Sequence, residues 1–230
     1  MMLDLSSIRI VLAVIMLSIA SYTDIKKREI DDRVWIIFGG LSFVILFFTP
    51  NMLNSFFVVG MSLIVAPVVI IIWRFGFFGG ADAFALIVLA ALVPGTTFTE
   101  SQINPFTTLT NTVILSIIPV AINILRNVIS LIRHDDIFKG FENETKKNKI
   151  IAMCIGHRSK NPRFSFSIET RDGNVRKMNF GVKNADNAEF CTSPDTWVTP
   201  GIPYMIYIFG GFFTQLVFGD IIFNVIKSFQ

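Results

Sequence analysis

What limits this chain most is a set of apolar runs long enough to cross a bilayer, each crossing needing about 20 residues. Six can be drawn through the 230 residues, over 5–23, 33–49, 54–73, 77–94, 110–132 and 201–226. Breakers mark several of their ends: Pro50, Pro94-Gly95, Pro105 and Pro200-Gly201. Pro67 and Pro119 fall inside spans, where proline kinks a membrane helix more often than it ends one. A soluble domain carries about a quarter charged residues. This chain carries 16%, with a mean hydropathy of +0.61.

The first span could imitate a secretory signal, because Ser18-Ile19-Ala20 resembles a cleavage site. Such a signal wants positive charge before its apolar run. Here Asp4 and Arg9 cancel while Lys26, Lys27 and Arg28 come after, so the run is expected to stay as a first transmembrane helix.

Lysine and arginine placement sets the expected orientation. Lys26, Lys27, Arg28 and Arg33 follow span 1, Arg74 follows span 3, and Arg133 with eleven further basic residues lies between spans 5 and 6. The alternate loops, 50–53 and 95–109, contain neither lysine nor arginine. Six crossings with both termini outside satisfy this pattern. The fold class is therefore expected to be membrane all-α, with spans 1–5 in residues 1–133 and the sixth in 200–230. Residues 134–199 form a small cytoplasmic α+β lobe between spans 5 and 6. In that lobe Phe164, Phe166 and Ile168 alternate with polar residues, Asp172-Gly173 supplies a turn, and Met178 and Phe180 alternate again, which predicts a β-hairpin. Its charge is mixed, nine acidic residues against the basic ones, so no nucleic-acid role is expected. Cys154 and Cys191 have no CxxC spacing; they are expected to be reduced thiols and no metal site.

Acids in apolar spans are costly to bury and are functional candidates for that reason. Three qualify: Asp24, Asp82 and Asp220. Span 1 ends inside and span 4 begins inside, which puts Asp24 and Asp82 at one depth near the cytoplasmic face. Asp220 arrives near the outer face and reads as an interfacial residue. Two neighbouring carboxylates repel, so the pair holds one proton and offers a base and an acid together. That suits peptide hydrolysis: the ionised member takes a proton from the attacking water, and the protonated one donates to the carbonyl oxygen. Gly76, Gly79 and Gly80 precede Asp82, and glycine lets another backbone approach closely. The same small residues serve equally well for close helix packing.

Gly79-Gly80-Ala81-Asp82 resembles the GxGD motif of membrane aspartic peptidases, with alanine at the second glycine. Ser21-Tyr22-Thr23-Asp24-Ile25-Lys26-Lys27-Arg28-Glu29-Ile30 resembles the first-aspartate segment of the type IV prepilin peptidases. Within that group the chain is most similar to the archaeal preflagellin (prearchaellin) peptidases, because no four-cysteine zinc domain is present. The resemblance implies cleavage of a short basic leader from archaellin or pilin-like precursors at the cytoplasmic face, without a cofactor. It implies that Asp24 and Asp82 are catalytic and that Gly79, Gly80 and Ala81 line the substrate's approach. Ala81 departs from the motif and restricts φ, which argues against a left-handed turn there.

Glu29 stands where a basic leader would arrive. Asp31 or Asp32 is expected to cap span 2. His134 and His157 lack a Cys or Ser partner at ligand spacing, so local hydrogen bonding is expected of them. Lys26, Lys27 and Arg28 are explained by topology and by attraction to anionic lipid. The rival function is a proton-coupled transporter, with the acids as a relay and the glycines and prolines breaking helices; a third is a non-catalytic assembly subunit.

Overall fold

The structure is a computed structural model that describes residues 5–172, 175–181 and 189–229. Along the chain lie α1 (Leu5–Lys27), α2 (Arg33–Leu46), α3 (Met52–Ser62), α4 (Val65–Arg74), α5 (Gly80–Leu92), α6 (Thr107–Leu115), α7 (Ile117–Ile132) and α8 (Lys146–Ile155). There follow β1 (His157–Ser159), β2 (Ser165–Ser167), β3 (Glu169–Asp172), β4 (Val175–Met178), β5 (Thr196–Pro200), α9 (Tyr204–Phe218) and α10 (Ile221–Ser228). The chain divides into two compact units, Met1–Leu115 with Pro203–Gln230, and Ser116–Ile202.

Among the described residues, Leu5–Lys27, Met52–Arg74 and Thr107–Ile132 are long and apolar enough to cross a membrane. A fourth crossing is available if α9 and α10, bent by 46°, are one span. The apolar helices α2 and α5 are shorter, 14 and 13 residues. The two internal prolines explain two interruptions. A helical proline clashes with the carbonyl four residues back, which is Leu63 for Pro67 and Leu115 for Pro119. The helices break there, between α3 and α4 and between α6 and α7, and each proline falls in the first turn of the next helix, where its missing N–H costs little.

In the first unit α5 is central and touches α1, α2, α3, α4 and α9. Each helix presents a stripe at three- and four-residue spacing: Ala13, Met16, Leu17 and Ala20 from α1, Ala85, Leu86, Leu89 and Leu92 from α5, and Met205, Ile208, Phe212 and Leu216 from α9. Asp24 continues the α1 stripe and Asp82 begins the α5 stripe, so helical period alone turns both acids inward. At the other end of α1, buried Arg9 donates from Nη1 to the Leu92 carbonyl at 2.9 Å. A cation at a helix C-terminus is favoured by the unpaired carbonyls there.

The α6–α9 contact depends on small residues. A Cβ on Gly211 would stand 2.8 Å from the Thr112 amide nitrogen and 2.9 Å from the Thr108 carbonyl oxygen, both backbone atoms that cannot rotate away. The expected single sixth span is interrupted. Gly219 takes a left-handed conformation (φ 72), and Asp220 then caps α10 by accepting from the Phe223 amide at 3.1 Å.

The second unit packs α7, α8 and five short strands around Ile137, Phe141, Ala152, Ile168, Met178 and Trp197. Strand β5 is central in an antiparallel sheet of order β1-β5-β2. Strands β3 and β4 form the hairpin, from Glu169↔Met178 to Asp172↔Val175. The hairpin therefore starts later than the alternation suggested: 165–167 pairs with β5, and Ile168 joins the two sheets by donating to Trp197 and accepting from Asn179. Gly173 of the expected turn lies outside the described residues. Trp197 is fully buried, stacks on Phe138 at 5.1 Å and donates its indole N–H to the Ile137 carbonyl. Buried Glu169 receives Arg176 at 2.7 Å and the Trp197 amide at 2.9 Å. Arg158 and Arg176 in turn hold Asp195, whose carboxyl lies below its ordinary range chiefly because Arg158 donates to it.

His134 is exposed, while His157 is buried with its Nε2 2.9 Å from the Arg126 guanidinium. Burial, followed by the Arg126 charge, pushes His157 down to about 4. Its ring is neutral in the fold and protonates near 6.5 when unfolded. The fold is therefore fully stabilised above about pH 6.5 and loses that share as pH falls from 6.5 toward 4.

Two outcomes are expected. Gly211→Ala should cost about 1–3 kcal/mol through overpacking, read as a lower thermal midpoint in detergent. Hydrogen exchange at the Trp197 and Val198 amides should quicken between pH 6.5 and 5 relative to global exchange, and His157→Gln should remove that pH dependence.

Candidate active site

Asp24 lies in the last turn of α1. Thr23 back-bonds to the Ile19 and Ala20 carbonyls at 3.0 Å, and Lys26 and Lys27 sit where the helix dipole favours cations. The helix stops at Arg28, which adopts a left-handed conformation (φ 60) and donates its amide to the Asp24 carbonyl at 3.0 Å. A non-glycine residue in that region costs about 1–2 kcal/mol, and such strain concentrates at functional sites. Arg28 is also the cation whose field reaches Asp24.

The Asp24 carboxylate is half-buried and accepts the Met205 amide at 3.2 Å. Met205 is the second residue of α9. The first amides of a helix have no partner within it, and the N-cap of α9 is Pro203, which makes no side-chain cap. Asp24 therefore supplies from α1 the acceptor that the α9 sequence lacks.

Asp82 lies in the first turn of α5 and is 8% exposed. Its Oδ2 accepts the Gly79 amide at 3.0 Å, the return half of a capping box. Gly79 is extended (φ −77, ψ 164), a conformation open to any residue. Gly80 is required by packing: a Cβ there would stand 2.9 Å from the Trp73 indole. Ala81 lies within α5, so no left-handed turn is needed at the position where alanine replaces the motif's glycine. The left-handed residue of this segment is Gly76 (φ 77), which follows Phe75, the C-cap of α4.

One structural feature links the segments that hold the two acids. Phe78, one residue before Gly79, stacks on Tyr204 with ring centroids 5.9 Å apart and planes 20° apart. Tyr204 is adjacent to Met205. A continuous path thus runs from Asp24 through the Met205 amide and the Tyr204 ring to Phe78, and from there to Gly79 and Asp82. The first turn of α9 thus touches Asp24 directly and reaches Asp82 through Phe78 and Gly79.

Glu29 is exposed in the connection between α1 and α2. Asp32 occupies the N-cap position of α2 without a side-chain cap bond, and Asp31 instead accepts the Arg33 amide at 2.9 Å. Asp220 is buried at 3% exposed and receives Asn104 and Thr107, each at 2.9 Å. The expected interfacial acid is thus an internal cap with donors from the 95–109 loop and α6. The 15 residues of α9 put about 22 Å between it and Asp24. Among the described residues no cluster of three or more His, Cys, Asp or Glu could hold a metal, and Cys154 and Cys191 are free. Sequence reasoning passed over Phe78, Tyr204 and Met205. The available signal was Pro203, a helix start with no capping side chain.

Apolar helices long enough to cross a bilayer, with one acid turned inward at the end of α1 and another at the start of α5, define a membrane protein with a polar site. The profile of the type IV leader peptidase family matches residues 11–125, which include both Asp24 and Asp82, and an archaeal C-terminal profile of the same peptidase group matches 141–221. The chain belongs to the type IV leader peptidase family. It is 27% identical over 242 residues to a preflagellin peptidase of Methanocaldococcus jannaschii, covering 96% of this chain and 98% of that one. A preflagellin peptidase of Methanococcus maripaludis is 28% identical over 236 residues, 93% and 96% of the two chains.

Proposed function

We propose that this chain is a membrane aspartic endopeptidase that removes the short basic leader from archaellin (preflagellin) or type IV pilin-like precursors at the cytoplasmic face. The observation that carries the reading is that the first turn of α9 binds Asp24 and also stacks on Phe78, the residue before the Gly79 amide that holds Asp82. The names of the two relatives support the substrate class.

In the proposed reaction the ionised carboxylate of the pair takes a proton from water as its oxygen attacks the scissile carbonyl carbon. The protonated partner gives its proton to the carbonyl oxygen, forming a gem-diol. On collapse the C–N bond breaks, the leaving amine takes the proton drawn from water, and a diol hydroxyl returns its proton to the other carboxylate. The pair ends as it began, with one proton between two acids. Gly79, Gly80 and Ala81 would border the extended substrate, and Glu29 would attract its basic leader.

The distribution of lysine and arginine supports six crossings with both termini outside. In that arrangement α2 and α5 are the short crossings, α9 with α10 the sixth, and 134–199 a cytoplasmic lobe.

Incubating the detergent-solubilised protein with an archaellin precursor, with and without EDTA, tests the reading. The wild type should release a leader-sized fragment in both conditions. Asp24→Ala and Asp82→Ala should each reduce turnover by about 10⁴-fold or more, as loss of one member of a concerted catalytic pair does. No cleavage by folded wild type would shift the reading to a proton-coupled transporter.

A further inference from the structure

The first turn of α9 lies outside the two segments that resemble the peptidase motifs, yet it bonds Asp24 in the first and stacks on Phe78, the residue before the second. We propose that this turn positions the catalytic pair: the Met205 amide orients the Asp24 carboxylate, and the Tyr204–Phe78 stack holds the segment that leads into Asp82. This rests on the peptidase reading above.

Three observations carry it. The Met205 amide reaches Asp24 Oδ2 at 3.2 Å, and Pro203 provides no competing cap. Asp24 therefore has one oxygen, Oδ2, engaged by a helix end. On the other side Phe78 is 7% exposed and lies nearly parallel to the Tyr204 ring, fixing the residue before Gly79. The Gly79 amide then fixes Asp82 Oδ2 in the same way. Each acid thus accepts a backbone N–H, and the two amides belong to segments joined by one aromatic pair. Catalytic groups must be held within about 0.5 Å of their productive geometry. Met205 itself is fully buried in the stripe of α9 that also contains Ile208, so the amide cannot drift without moving the helix.

Met205 and Tyr204 are positioning residues, and the prediction is that they affect kcat and leave KM alone. Met205→Pro removes the amide hydrogen at a first-turn position where α9 does not use it internally. Should the proline ring prevent folding, incorporation of the α-hydroxy analogue of methionine at 205 deletes the same N–H and keeps the side chain. Either change should lower kcat about 10- to 100-fold, the range expected for a hydrogen bond to a charged group, with KM for the archaellin precursor within about twofold. Tyr204→Leu should also lower kcat, and Tyr204→Phe, which keeps the stacked face, should restore most of the loss. Ile208→Ala, a buried neighbour on the same face, should lower the thermal midpoint without lowering kcat of the folded fraction.

If the wild type cleaves and Asp24→Ala does not, but the ester variant retains wild-type kcat, the positioning role is wrong and the dyad stands. A parallel fall in kcat for Ile208→Ala would also overturn it, since packing alone would then explain the effect. Absence of cleavage by the wild type would instead remove the peptidase reading on which the proposal rests.

Discussion

A helix that begins after proline presents its first amides to whatever acceptor packing brings, and in this chain α9 finds Asp24. The bond joins residues 181 positions apart and ties the end of the first apolar helix to the start of the last long one. Because Tyr204 stacks on Phe78, the same turn reaches the segment that caps α5 through Gly79 and Asp82. The bundle is apolar almost throughout, so directional contacts of this kind decide how the helices register where dispersion alone would tolerate sliding.

Polar contacts recur at the opposite end of the helices. Arg9 donates to the C-terminal carbonyl of α5 there, and buried Asp220 receives side-chain donors from Asn104 and Thr107. Asn111 adds to this end by donating to the Gly219 carbonyl and accepting the Ile221 amide. Arg9 satisfies the end of α5, and Asn111 and Asp220 satisfy the backbone groups at the Gly219 break, where an unpaired buried amide or carbonyl would cost about 1–3 kcal/mol. Asp24 and Asp82 satisfy helix ends too, Asp24 at the first turn of α9 and Asp82 at the start of its own helix, α5. Acids therefore cap helix starts at both ends of the bundle.

Much of this was legible from residue spacing. The apolar runs anticipated the helices, and the three- and four-residue period from Ala13 through Leu17 and Ala20 leads directly to Asp24. The capping role of Asp82 also follows from its place three residues after Gly79. Other features depend on sterics that period does not reveal. Pro67 and Pro119 break their helices four residues upstream, and Gly219 bends what hydropathy draws as one span. The hairpin begins at Glu169 because Ile168 is taken by Trp197 across the sheet, a choice made by the tertiary core. The Asp24–Met205 bond was not legible: nothing in either local segment points to the other. Ala81 could be interpreted only once it was seen to sit in a helix, where alanine is as suitable as glycine or better.

The central claim is that Asp24 and Asp82 act as one catalytic unit, and comparing the single alanine variants with the Asp24→Ala/Asp82→Ala double variant in precursor cleavage tests it most directly. Groups that share one step are strongly non-additive. The account predicts that the double variant is no slower than either single variant. A double variant slower by the product of the two single effects, or substantial turnover in one single variant, would contradict it.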